Sequence, residues 1–254
     1  GGKIVYCSKQ IQESEAFFGV GDKPTELNLR SKRLENFGTD SYGFKKNTDP
    51  LYKNIPFYYG LHHGIGYGIF FDNTFRTLFD FGQERPEAAS FWARGGQMNY
   101  YFIYGPRLLE VAEQYTRLTG TPELPPMWAL GYQQSRWSYF PDTRVKEIAR
   151  EFRTRHLPCD AIHLDIDYME GFRCFTFSKE NFPDPAALTS ELASMGFKTV
   201  AIIDPGIKVD PDYSVYQQGI EKGYFCKRAD GALMEGDVWP GKCVFPDFTN
   251  PIVR

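Results

Sequence analysis

No stretch of the 254 residues approaches the roughly 18 consecutive apolar residues that a spanning helix requires, so no helical membrane span is encoded. The opening segment, Gly1 to Cys7, has too short an apolar stretch for a secretory leader. Neither sign of charge is in excess: 29 Lys and Arg against 32 Asp and Glu leave a net charge of −3. That balance argues against a dedicated nucleic-acid binder, whose phosphate contacts need clustered cations. Cysteine is scarce. Cys7, Cys159, Cys174, Cys226 and Cys243 are odd in number and show no C-x-x-C spacing, which signals neither a zinc knuckle nor a complete disulfide framework. The N-glycosylation pattern N-x-[ST] is absent. Together these features predict a reducing, cytoplasmic setting.

The common catalytic fingerprints are missing too. No G-x-G-x-x-G follows an apolar run, which lowers a dinucleotide site. The four histidines, His62, His63, His156 and His163, show no H-E-x-x-H or other metal spacing, and no G-x-S-x-G elbow marks a nucleophilic serine. No metal and no cofactor is expected.

What the chain does have is aromatic side chains: 22 Phe, 16 Tyr and 4 Trp, or 17%. An aromatic core in a β-rich fold accounts for such a number. The functional reading is a carbohydrate site, where flat ring faces meet sugar C–H faces beside placed polar groups. Residues 1–105 read as β structure. Short runs such as Phe17–Val20, Ile55–Gly60, Gly66–Phe71, Ser90–Ala93 and Met98–Tyr104 are punctuated by glycine and by Asp72-Asn73 and Gly95-Gly96 turns. An antiparallel β-sandwich is the natural architecture. Residues 106–126 read as a linker: a helix with Leu108, Ala112 and Tyr115 in one stripe and Leu109 and Leu118 beside it, stopped by Gly120, then the Pro-rich Pro122–Pro126.

The periodicity changes over 127–254. Trp128–Tyr132 reads as a strand and Thr143–Arg155 as a helix with Val145, Ile148, Ala149 and Phe152 on one face, capped by Asp142 or Thr143. Ala161–Leu164 is a strand ending at Asp165. Asp184 and Pro185 open a helix that Gly196 closes, Lys198–Ile203 is a strand ending at Asp204, and a further helix stops at Gly223. Apolar runs alternating with helices predict parallel strands buried on both faces. About three βα units fit, which makes this the first part of a (β/α)8 barrel or of a doubly wound sheet.

Charged residues collect just beyond the strand ends, where parallel sheets place ligands. Asp165 and Asp167 lie two apart, which puts them on one face of an extended segment. They either cap the following loop, hold Mg²⁺, or accept hydrogen bonds from sugar hydroxyls; no third carboxylate or phosphate loop supports the metal reading. Asp204 repeats the pattern on the next strand. Arg136 and Trp137 follow the first strand, where Arg136 is positioned to pair with the aspartates or to close a salt bridge elsewhere. Trp239 sits among helix breakers in a Pro- and Gly-rich stretch, either lining a site or plugging a local core.

Several segments resemble glycoside hydrolase family 31, the α-glucosidase group. They are Phe17–Asp22, Asn36–Tyr42, Thr48–Tyr52 with Ile55–Tyr58, Tyr101–Pro106, Leu124–Tyr139, Leu164–Met169, Asp204–Ile207, Val238–Gly241 and Phe245–Pro251, in order along nearly the whole chain. The resemblance implies a multidomain β plus α/β architecture, an N-terminal antiparallel β-sandwich followed by the first part of a (β/α)8 TIM barrel. It implies retaining, exo-acting hydrolysis of terminal α-linked glucose, with an α-linked oligosaccharide or α-glucoside as partner. Asp165 matches a carboxylate that binds hydroxyls of the sugar; Ile166 and Ile207 match apolar wall positions; Trp239 matches a ring of the pocket; Asp40 matches an acid that the N-terminal domain lends to it. Asp167, Asp204, Arg136 and Trp137 are supporting residues, with Asp167 fixing the Asp165 loop through hydrogen bonds.

The family's nucleophile and acid/base segments do not occur in residues 1–254, so no catalytic residue is assigned here and both are expected beyond Arg254. The chain is then expected to be a segment of a longer enzyme, inactive alone and partnered by the remainder of its barrel; self-association stays open. An α-xylosidase or related specificity is the alternative within the family. A non-catalytic carbohydrate-binding protein on the same fold is the alternative outside catalysis.

Overall fold

The computed structural model describes residues 3–254. The chain divides between Glu123 and Leu124 into two compact units. The first carries strands β1 (Val5–Gln10), β2 (Ala16–Gly19), β3 (Arg33–Asn36), β4 (Phe57–His62), β5 (Ile65–Phe71), β6 (Thr77–Phe81), β7 (Ala88–Ala93) and β8 (Tyr100–Tyr104). They form two four-stranded antiparallel sheets, ordered β1-β7-β6-β3 and β2-β4-β5-β8. Both sheets feed one core, in which Phe17, Tyr58 and Phe71 of one meet Phe79, Phe81 and Phe91 of the other. The Phe17 and Phe81 rings stack at 4.7 Å between centroids, and Tyr58 meets Phe81 edge-on at 5.0 Å. Much of the aromatic content is therefore spent on closing the sandwich. Strands β1, β3 and β6 carry little of the Gly and Asn punctuation that exposes the others in the sequence.

Helix α1 (Leu108–Thr119) belongs to this unit rather than to a linker. Its buried residue is Val111, packed with Phe57 and Ile103, and Tyr115 stacks on Phe57 at 4.1 Å. Leu109 and Leu118, expected beside the stripe, are exposed. The helix approaches β5 so closely that a Cβ at Gly68 would lie 2.7 Å from a Val111 methyl and 2.8 Å from the Phe57 ring, so this position needs glycine.

The second unit opens with a 3₁₀ turn, Met127–Leu130, followed by β9 (Gln133–Gln134), α2 (Asp142–Thr154), β10 (Ala161–Leu164), α3 (Pro185–Ser194), β11 (Lys198–Ala201), β12 (Ile207–Lys208), α4 (Ser214–Lys222), β13 (Glu235–Val238) and β14 (Gly241–Val244). Strands β11, β10 and β9 are parallel, in that order, and β12-β14-β13 is a separate antiparallel sheet. This is the start of a βα barrel. Val145, Ala149, Ile162, Leu164, Leu188, Leu192 and Phe197 make its core, joining α2, α3 and the sheet. The Arg153 guanidinium lies 3.7 Å from the Phe197 ring centroid and donates to the carbonyls of Met195 and Cys159, at 2.7 and 3.0 Å, tying the end of α2 to the segments leading into β10 and β11.

Four local expectations change. Trp128–Tyr132 is not a strand: after Pro125 and Pro126 the chain closes a tight turn, with the Ala129 N–H donating to the Pro126 carbonyl at 2.9 Å, and pairing begins only at Gln133. Helix α2 takes neither Asp142 nor Thr143 as a side-chain cap. Pro141 holds the cap position, and Asp142 sits in the first turn, 3.0 Å from Lys146, where its charge suits the helix dipole. Strand β11 ends at Ala201, leaving Ile202 and Ile203 outside it, and it is half-exposed rather than buried on both faces. Asp184 does cap α3, accepting from the Ala187 N–H at 2.9 Å with Pro185 first in the helix, and Gly223 ends α4 at φ 66°.

Glu15 is 1% exposed. Burial opposes its charge, but Lys9 at 2.8 Å, the Tyr67 hydroxyl at 2.6 Å and the Gln12 N–H at 2.8 Å outweigh it and hold the carboxyl below the usual glutamate range. A lowered folded-state value means the contribution is complete above the unfolded-state value and is lost as pH falls through the folded one. Glu15→Gln in the full-length protein should therefore cost about 2 kcal/mol at neutral pH. That deficit should shrink as pH falls below about 4, as denaturant melts across pH will check.

Candidate functional site

The site is built on the end of β10. The strand, apolar but for His163, stops after Leu164 at Asp165, whose carboxylate accepts the Ile166 N–H at 2.7 Å and caps a 3₁₀ turn over Ile166–Tyr168. Because the backbone turns here, Asp165 and Asp167 do not share the face of an extended segment. Both are half-buried. Asp167 accepts the indole N–H of Trp137 at 3.2 Å, and the Trp137 ring lies 6.4 Å from that of Trp239, tilted by 40°. Trp239 occupies the turn between β13 and β14. The two indoles are 72% and 53% exposed, so neither plugs a core. Arg136 is exposed and forms no ion pair among the described residues; the expected pairing with the aspartates is replaced by the Trp137 hydrogen bond.

Asp204 follows β11. Burial raises its carboxyl above the usual aspartate range, and the negative charge of Asp165 raises it further. No ion pair of Asp165, Asp167 or Asp204 occurs among the described residues. Asp204 also borders an apolar cavity of about 390 Å³ with Ile203, Ile207, Phe225 and Phe248. Both residues expected at the pocket wall are largely buried, Ile207 bordering this cavity. Ile166 is 6% exposed within the core of the parallel sheet. Ile207 is 5% exposed and packs with Tyr213, Phe225 and Val244. Asp40 lies on an exposed loop of the first unit, where its carboxylate accepts the Tyr52 hydroxyl at 2.9 Å.

Beneath these residues is a brace that the sequence did not announce. The Tyr168 hydroxyl donates to the Ile202 carbonyl at 2.9 Å, the Cys174 thiol to the Asp204 carbonyl at 3.3 Å, and the buried Tyr213 hydroxyl to the Cys174 carbonyl at 2.5 Å. Burial and the neighbouring Cys174 push Tyr213 up to about 12, so its hydroxyl stays a donor. Arg173 pairs with Asp210 from the same loop. No sequence signal points to this brace: Tyr168 and Tyr213 each directly follow an aspartate rather than lying in an apolar run. Among the described residues no group of three or more His, Cys, Asp or Glu is placed to hold a metal ion.

Chemically, the arrangement offers acceptors without cations. Half-buried carboxylates without cationic partners are open to hydrogen-bond donors, hydroxyls among them, and exposed indole faces suit flat C–H surfaces.

Known proteins resemble both units of the chain. The model of the glycosyl hydrolases family 31 TIM-barrel domain matches residues 122–254, and that of the glycosyl hydrolase 31 N-terminal galactose mutarotase-like domain matches residues 1–80. Alpha-glucosidase 2 of Bacillus thermoamyloliquefaciens is 46% identical over 251 residues, covering 98% of this chain and 32% of the relative. The alpha-glucosidase of Saccharolobus solfataricus is 37% identical over 253 residues, covering 100% of this chain and 36% of the relative. Among solved structures, a Flavobacterium johnsoniae GH31 dextranase complexed with glucose superposes with a TM-score of 0.88 at 38% identity, over 98% of this chain and 30% of that one. A family 31 alpha-glucosidase from Bacteroides thetaiotaomicron does so with a TM-score of 0.85 at 40% identity, over 98% of this chain and 42% of that one. The chain thus spans about a third of the length of the curated relatives it matches. With half of its residues matched to the barrel model and residues 1–80 to the N-terminal domain model, the chain belongs to glycosyl hydrolase family 31.

Proposed function

We propose that this chain supplies the sugar-holding part of a retaining, exo-acting α-glucosidase that removes terminal α-linked glucose. The observation that carries the reading is the set of carboxylates without cationic partners at the end of β10, beside two exposed indoles. In this reading Asp165 accepts hydrogen bonds from hydroxyls of the bound glucose, Trp239 covers a face of the ring, and Asp204 gives the pocket a second acceptor. The alpha-glucosidase relatives support the substrate class.

Retaining hydrolysis requires one carboxylate to attack the anomeric carbon and a second carboxyl, about 5 Å away, to protonate the leaving oxygen and then activate water. Asp165 is engaged with the backbone of its own turn and Asp167 with an indole, which suits binding rather than attack. The proposal therefore places both reacting carboxyls on segments beyond Arg254. Hydrogen bonds to Asp165 strengthen as the ring flattens and its hydroxyls become more acidic, so they contribute more at the transition state than in the ground state.

Asp165→Asn in the full-length protein should lower kcat/KM on an α-glucoside about 10²-fold, the loss expected for one strong hydrogen bond to a charged acceptor, without lowering the melting temperature. Near-normal turnover would remove Asp165 from the site. A second expectation concerns Asp204. Its raised folded-state value means that the ligand-free protein loses stability as pH rises from the ordinary aspartate range through that value. Asp204→Asn should abolish this decline, and Asp165→Asn should reduce it by removing the neighbouring charge. Denaturant melts of the three proteins across that pH range provide the check.

A further inference from the structure

We propose that Asp167 is a positioning residue that acts through Trp137: its carboxylate holds the indole beside Trp239, so that the two rings present one apolar platform to the sugar-bearing ligand. The inference rests on the sugar-binding reading above. Trp137 is 72% exposed, and a side chain so free of packing would ordinarily sample several rotamers. Its one directional contact is the Nε1–H bond to Asp167 Oδ2 at 3.2 Å. With that bond made, its ring sits 6.4 Å from Trp239 at a 40° tilt. Asp167 is itself fixed. It lies in the turn capped by Asp165, and the next residue, Tyr168, is 3% exposed and bonded to the Ile202 carbonyl at 2.9 Å. The end of β10 is thus extended, through one hydrogen bond, to an exposed aromatic group on the loop after β9. Neither Arg136 nor any other cation pairs with Asp167 among the described residues, which leaves its carboxylate available as a full-strength acceptor. Pre-ordering the ring removes rotamer entropy that the ligand would otherwise have to overcome on binding.

The test uses the full-length protein and p-nitrophenyl α-glucoside as the probe. Asp167→Ala and Trp137→Phe should each raise KM about tenfold with kcat little changed, as expected for the loss of one hydrogen bond that preorders the site. The double variant should be no worse than either, and Asp167→Asn, which keeps an acceptor oxygen, should recover most of the loss. A readout independent of turnover is the circular dichroism of the coupled Trp137–Trp239 pair, assigned by its disappearance in Trp239→Phe. It should collapse in Asp167→Ala while the melting temperature holds. An unchanged couplet in Asp167→Ala, or additive losses in the double variant, would overturn the tether. If the parent fails to cleave the probe, the glucosidase reading fails, and the couplet still decides whether Asp167 orders Trp137.

Discussion

Asp165 and Asp204 bring negative charge to one partly desolvated place, and among the described residues no lysine or arginine neutralises either. The rest of the second unit follows from holding them there. Like charges in a low-dielectric setting repel, so the segments bearing them must be braced from below. Tyr168, Cys174 and Tyr213 do this by bonding to the backbone carbonyls of Ile202, Asp204 and Cys174. The parallel strands β10 and β11 supply the stiff base. A site with an Arg or Lys inserted would be calmer without a ligand, but it would already have satisfied its acceptors. Left without a cation, the carboxylates are available to hydroxyl donors. In the proposed function, that is the physical link between this fold and the binding of a neutral polyol.

The two units use their aromatic residues for different ends. In the sandwich the rings are buried and packed ring on ring, as with Phe17, Tyr58, Phe79 and Phe81. In the second unit Trp137 and Trp239 stay exposed at the site. The composition value, taken by itself, could not separate a core use from a site use; the sandwich rings are buried, and the two exposed indoles are those that the proposed site uses. What separated them was local context: β-branched and aromatic runs between turns for the sandwich, and indoles next to helix breakers and polar residues for the site.

The sequence made the sandwich, the βα alternation and the ends of β10 and α3 legible, because each depends on local chemistry. Asp184-Pro185 is a helix start wherever it lies, and an apolar tetrad ending in Asp is a buried strand reaching solvent. Less legible was what depends on approach between distant segments. Gly68 gave no hint that α1 would pack onto β5, and Trp128–Tyr132 matched a strand by composition although Pro125 and Pro126 impose a turn. The partner of Asp167 stays open in the sequence for a related reason. Arg136 is the obvious electrostatic choice, yet Arg136 points to solvent and the neighbouring indole makes the bond. Ile166 and Ile207 were assigned through family resemblance, and their burial in two separate cores shows structural work that such matching does not reveal.

The central claim is that the aspartate at the end of β10 is a hydroxyl acceptor for a bound sugar. A crystal structure of the full-length protein soaked with glucose tests it most directly. The account predicts an Asp165 carboxylate oxygen within about 3 Å of a sugar hydroxyl, with an indole face over the ring. Glucose bound elsewhere, with Asp165 left to its own turn or salt-bridged to a cation, would contradict it.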